Sequence, residues 1–221
     1  MNEKLFFCWN NFDDEIKNKQ LSYRVNSRTL WKALLKEFPI ELESNLIKLD
    51  ELFTKLNKFS IENHLDIVHP LRVTYSALGI IQSLNKEKII NIGLIHNAIE
   101  LNIIDVFDLD NEILKIIKIL TIDRSREKDL KYRKDYYDNI QDYSNDLLIF
   151  KTLDKLDNLF VWPFMNIEQY HIDVIKDEIL PRVKKINLKL YDYVNRLTNY
   201  VTDDIVKQKF VKKYKISEHL K

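Results

Sequence analysis

Glycine is nearly missing from this chain: Gly79 and Gly93 are its only two in 221 residues. A phosphate-cradling loop and a dinucleotide fingerprint both need clustered glycines, so both are excluded. Tight β-hairpins also lean on glycine. Proline is scarce too, with four residues, so long segments run without a breaker. The lone cysteine, Cys8, rules out an internal disulfide and fits a reducing compartment. No apolar run approaches the roughly 18 residues of a spanning helix. Net charge is also almost absent: 35 basic and 34 acidic residues leave a formal +1. That balance gives no case for nucleic acid or an anionic membrane as partner. The opening "MNEKLFFCWNNFDDEI" meets acids at once and does not read as a signal peptide, so the cytoplasm is the expected location.

What remains is rich in Leu, Ile, Lys, Glu and Asn, with 45% hydrophobic residues, enough to bury a sizeable core. Apolar residues recur at helical intervals, and the expected fold is all-α. One or two helices are expected within 11–38, and "ESNLIKLDELFTKLNKFS" forms the next. Proline is tolerated in a first helical turn, so a helix starts at Pro70 and runs to about Leu84. The stretch 88–103 reads as a helix, apolar on nearly all sides at 89–95 and hence central. A shorter amphipathic helix follows in "NEILKIIKILTI". A polar one has a stripe at Leu130, Tyr137 and Ile140, and a second apolar helix over 146–160 ends near Trp162-Pro163. One or two long closing helices follow, with a kink at Pro181.

Three polar positions lie at the start of, or inside, these apolar helices: His69, His96 with Asn97 and Glu100, and Asp154. A buried ionisable group left without a partner costs several kcal/mol, so each needs company. Any one alone reads best as a hydrogen-bonded core residue. Together, two imidazoles and a carboxylate converging from three helices would make a divalent-metal site. His64 reads as structural or surface, and no conformation can be assigned to Asp66. The charge run "TIDRSREKDLKYRKDYY" is a solvated face or a phosphate clamp, since a guanidinium fork suits phosphate.

In order and wording these motifs resemble the HD superfamily of metal-dependent phosphohydrolases, and within it the hydrolase domains that cleave guanosine tetra- and pentaphosphate alarmones. Those domains have a His-Pro before a helix, here "HPLRV". They have His-Asp-x-x-Glu-Asp in a Leu-rich helix, here "HNAIEL". They carry an Arg-Lys, here Arg133-Lys134, and a Lys-Leu-Ala-Asp-Arg-x-His-Asn phrase, here "KTLDKLDN". The resemblance covers roughly 48–190. It implies a single HD-type helical domain over 1–221, with N-terminal helices at 1–47 and a C-terminal helical extension at 191–221.

The resemblance also implies roles. His69, His96, Asn97 and Asp154 would hold a divalent ion, Mn first and Fe, Mg, Ni or Zn as alternatives. Glu100 would transfer protons. Arg133, Lys134, Lys151 and Asn158 would hold a phosphorylated small molecule of nucleotide type. No nucleic-acid or membrane partner is implied, and an oligomer is compatible. The chain departs from the pattern at several points. Asn97 replaces a metal-ligating Asp, Leu101 replaces the second acid, and Asp157 stands where those domains have His. The basic, glycine-containing stretch that precedes their His-Pro is absent. Asn97 carries no charge, so metal binding is expected to weaken. Three readings stay open: a phosphohydrolase, a catalytically degenerate HD protein that binds a nucleotide or protein partner, and a helical interaction protein.

Overall fold

Short polar side chains, not glycine, punctuate this fold. The computed structural model describes residues 27–203 apart from 64, 66, 108 and 162–168. The helix expectations within 11–26, the readings of His64 and Asp66, the break at Trp162-Pro163 and the tail past 203 lie outside the described residues. The helices are α1 (Ser27–Glu37), α2 (Glu43–Glu62), α3 (Val68–Ile80), α4 (Lys86–Ile95), α5 (Asn111–Leu120), α6 (Leu130–Tyr143) and α7 (Asn145–Val161). They are followed by α8 (Gln169–Val174), a π turn (Ile175–Ile179), α9 (Leu180–Ile186) and α10 (Leu188–Thr202). No strand occurs among the described residues, and the fold is all-α, as the periodicity predicts. No described helix is long and apolar enough to cross a membrane.

Side-chain oxygens cap the helix starts. Asn85 accepts from the Lys88 amide at 2.7 Å, and Asp110 from the Ile113 amide at 2.7 Å. Asp129 accepts from Lys131 and Tyr132, and Asn187 from Leu190. Each cap satisfies an amide that the first helical turn leaves orphaned, a contribution of about 1 kcal/mol. The Asn85 cap also corrects one boundary. Asn85 must be extended (φ −68°, ψ 154°) to cap α4, and α3 stops at Ile80 rather than near Leu84. Pro70 sits in the first turn of α3, where its missing N–H costs nothing.

A second correction concerns the stretch 88–103. Helix α4 ends at Ile95, and 96–102 form irregular turns. The Ile103 amide bonds to Ala98 O at 2.8 Å and the Asn102 amide to Ile99 O at 3.0 Å. Asn102 is left-handed at φ 56°. This is a Schellman stop with asparagine in the place usually filled by glycine. A third correction is Leu130, which is 67% exposed at the start of α6; Arg133 and Tyr136 join Tyr137 and Ile140 on the buried stripe instead.

Pro181 has no N–H, and its ring crowds the carbonyl four residues back. The helix widens there: Ile175–Ile179 is a π turn, closed by the Leu180 amide on Ile175 O. The expected kink takes this form.

Two helices sit at the centre. α7 packs on α3, α6, α9 and α10, and α3 packs on α1, α4 and α7. The core is one contiguous cluster running from Trp31 to Val201. α3 and α4 approach closely at Gly93. A Cβ at Gly93 would sit against Thr74 Oγ1, 2.8 Å from its Cβ and 3.1 Å from its Cα. Thr74 is fully buried, and its hydroxyl is tied to Pro70 O at 2.7 Å, so it has little room to yield.

Gly93→Ala should therefore destabilise the fold. Overpacking costs about 1–3 kcal/mol, more than the roughly 1 kcal/mol that alanine gains as a helix former. Thermal unfolding followed by circular dichroism should show a melting point lower by several degrees. A variant melting at or above wild type would mean that α3 shifts freely at this contact.

Candidate metal centre

His69 is the second residue of α3, and His96 is the residue on which α4 ends. Asp154 lies in the middle of α7. The close α3–α4 approach and the α3–α7 packing bring the three side chains together. His69 Nε2 is 3.4 Å from His96 Nε2 and 3.2 Å from Asp154 Oδ1. His96 Nε2 is 3.7 Å from the same oxygen. His96 and Asp154 are buried, and the His69 side chain is 14% exposed, which leaves the group a route to solvent.

The outer nitrogens decide what these atoms can do. His96 Nδ1 lies 2.7 Å from Gly93 O. His69 Nδ1 lies 2.8 Å from Asp157 Oδ2. A carbonyl and a carboxylate only accept, so both Nδ1 atoms carry a hydrogen. In the neutral rings this turns two Nε2 lone pairs toward one point beside a carboxylate oxygen. A point equidistant from the three atoms lies about 2.0 Å from each, matching metal–nitrogen and metal–oxygen bonds of about 2.0–2.2 Å. The His69, His96 and Asp154 group could hold a metal ion. Three protein ligands would leave further coordination positions open.

Charge around the group is matched in layers. Lys151 donates to Leu120 O at 3.1 Å and pairs with Asp154 Oδ2 at 3.0 Å, so the carboxylate is held from behind. Lys155 stands 3.6 Å from the same oxygen. Burial alone would raise the Asp154 pKa; Lys151, Lys155 and hydrogen bonds from both histidines outweigh it and hold the group well below the usual carboxylate range. Burial also disfavours charge on His69, yet hydrogen bonds to Asp154 and Asp157 and their charges push it up to about 9. Burial pushes the Lys155 ammonium below its ordinary value, against the pull of Asp154.

The other residues singled out by sequence fall in different places. Glu100 lies in the turns after α4 rather than on a helix face with His96. Its carboxylate accepts from Arg124 at 2.5 and 3.0 Å, and Arg124 also pairs with Glu127 at 3.0 Å. Glu100 is still close enough for its charge to act on Lys151 and Lys155. Asn97 is half-buried and lines a cavity of about 20 Å³ with Leu56, Ser60 and Pro70. Among the described residues neither Asn97 nor Asn158 has a side-chain hydrogen-bond partner. Asn158 lies one turn beyond Asp154.

Arg133 and Lys134 are engaged elsewhere. Arg133 is buried, bonded to Glu178 at 3.1 Å and Asp177 at 3.3 Å, and Lys134 pairs with Asp138 at 2.9 Å. Arg182 joins them, with Glu178 at 2.9 Å and Asp138 at 2.6 Å. These contacts pin α6 to the π turn and α9, and none reaches the His–His–Asp group. Sequence reasoning missed Arg72 as a partner. It donates to Asp157 from Nε at 2.9 Å and from its terminal nitrogen at 2.6 Å. The available signal was spacing: Arg72 is one helical turn after His69, and Asp157 one turn after Asp154. No protein-family model, curated protein or solved structure matches this chain.

Metal uptake should release a proton. In the metal-free protein His69 keeps its proton up to about pH 9, and only the neutral ring can ligate. Between pH 7 and 9 affinity should rise by about tenfold per pH unit, then level off. Calorimetric titration with Mn²⁺ in buffers of different ionisation enthalpy should give close to one proton released per ion at neutral pH. An affinity independent of pH over that range would show that no proton is displaced from His69.

Proposed function

We propose that this chain is a metal-dependent phosphohydrolase of HD type, acting on a nucleotide or a related phosphorylated small molecule. One observation carries the reading: two histidines with both Nδ1 atoms tied to acceptors turn both Nε2 atoms on a single carboxylate oxygen. The resemblance of the motif order to alarmone hydrolase domains supports the same reading and puts guanosine tetraphosphate on the substrate panel.

The two imidazoles suit Fe, Ni and Zn and the carboxylate suits Mn and Mg; Mn²⁺ is the first to test. A divalent ion there supplies Lewis-acid polarisation of a phosphoryl oxygen and lowers the pKa of a water. Asp154 is kept ionised for the ion by Lys151 behind it. Glu100 is the proton-transfer group at the edge of the site. Lys155 and Arg124 are the cations near Asp154 and Glu100 that a phosphate would meet; Arg133 and Lys134 already have carboxylate partners. Asn158 offers an amide one turn from the ligand Asp154. Asn97, next to His96, supplies at most a weak neutral donor.

A second reading has a specific observation behind it. Asn97 lacks the ligand charge and Arg124 holds the Glu100 carboxylate with two nitrogens, an arrangement suited to a non-catalytic descendant that binds a nucleotide or protein partner.

Elemental analysis of protein purified without chelator should find near-stoichiometric Mn, Fe, Ni or Zn. A panel of nucleotides, guanosine tetraphosphate and sugar phosphates with Mn²⁺ should then reveal turnover. Glu100→Gln should lower it by about 100-fold or more while metal stays bound. Asn97→Asp should raise Mn²⁺ affinity by about tenfold or more by restoring a ligand charge. Bound metal with no turnover on any substrate selects the non-catalytic reading, and a site that takes up no metal removes the hydrolase.

A further inference from the structure

His69 is gripped on both sides by aspartates one turn apart on α7. Asp154 faces Nε2 at 3.2 Å and Asp157 faces Nδ1 at 2.8 Å. Asp157 does not merely cap the ring. Arg72, one turn after His69 on α3, closes on both its oxygens, at 2.9 Å to Oδ1 and 2.6 Å to Oδ2. Both members of the pair are packed away from water: Arg72 is 6% and Asp157 4% exposed. The two helices thus exchange a matched pair of contacts. α3 contributes His69 and Arg72, and α7 contributes Asp154 and Asp157.

We infer that Arg72 and Asp157 form a positioning clamp that fixes the His69 ring with its Nδ1–H inward and its Nε2 toward the metal position. The inference rests on the metal-centre reading above and adds to it the pair that sets ligand orientation and basicity. A carboxylate buried without a counter-charge would be strongly unfavourable, so Asp157 needs Arg72 to be present at all. With that charge supplied, Asp157 accepts the Nδ1–H of a ring whose other nitrogen stays directed outward. A carboxylate on the far nitrogen of a metal-bound histidine fixes its tautomer and raises its basicity, and losing such a partner typically weakens metal binding about 10- to 100-fold. His96 has a weaker equivalent, the neutral Gly93 carbonyl. The clamp therefore makes His69 the more firmly oriented of the two imidazoles.

The test uses the full chain, with D157N, the charge-free pair R72M/D157N, and H96A as control. The double variant guards against simple unfolding, because replacing both members of a buried ion pair with neutral groups is better tolerated than removing one. Mn²⁺ titration should show affinity falling about 10- to 100-fold in D157N and in R72M/D157N, with helical circular dichroism unchanged. In metal-free protein, proton NMR should show a slowly exchanging, far-downfield His69 Nδ1–H in wild type and H96A. That signal should be missing from R72M/D157N. A folded R72M/D157N variant with unchanged Mn²⁺ affinity overturns the clamp and leaves the metal centre standing. If wild type takes up no Mn²⁺, the metal reading fails separately. The NMR signal then decides: no downfield Nδ1–H in wild type overturns the clamp, and its loss in R72M/D157N alone supports it.

Discussion

Helix α7 carries Lys151, Asp154 and Asp157 into the protein interior, each less than 5% exposed. Charges that far from water must be matched at short range or the helix cannot pack. The partners come from three directions: the end of α5 through Leu120 O, α3 through His69 and Arg72, and the residue after α4 through His96. Apolar burial explains why α7 is central. Charge matching explains the rotation and register with which its neighbours meet it, because a slip of one residue on α3 would separate His69 and Arg72 from their carboxylates together.

Close approach makes the matching geometrically feasible. Gly93 lets α4 lie against Thr74 of α3, and the same glycine offers the carbonyl that orients His96. One residue thereby sets both the spacing of two helices and the tautomer of a ligand. Elsewhere the chain replaces glycine with asparagine. Asn85 and Asn187 open helices, and Asn102 closes the turns after α4 in a left-handed conformation. The short amide side chain tolerates that region better than other non-glycine residues do.

Much of the architecture could be read from the sequence because it is local. Apolar spacing locates the helices, and Pro181 marks the irregularity near its position. His69, His96 and Asp154 stand out because ionisable groups in apolar helices require company. The stop after Ile95 escaped notice because no glycine or proline follows it closely; Asn102 only ends the turns beyond. Arg133 was ambiguous for a different reason: its carboxylate partner, Glu178, lies 45 residues away in a π turn. The Arg72–Asp157 pair is 85 residues apart, and its one local sign was helical spacing, Arg72 a turn after His69 and Asp157 a turn after Asp154. Local periodicity says which faces are buried, and it says little about which buried charges will meet.

The Arg133–Glu178–Arg182–Asp138 network has a consequence for how the molecule comes apart. It links the middle of α6 to the π turn and α9 through side chains that are buried except for Asp138, which is half-exposed. If either helix frayed alone, the other would be left holding uncompensated charge in an apolar setting. The two segments, remote in sequence, are therefore bound into one cooperative opening unit, whose backbone amides gain or lose protection from solvent exchange together.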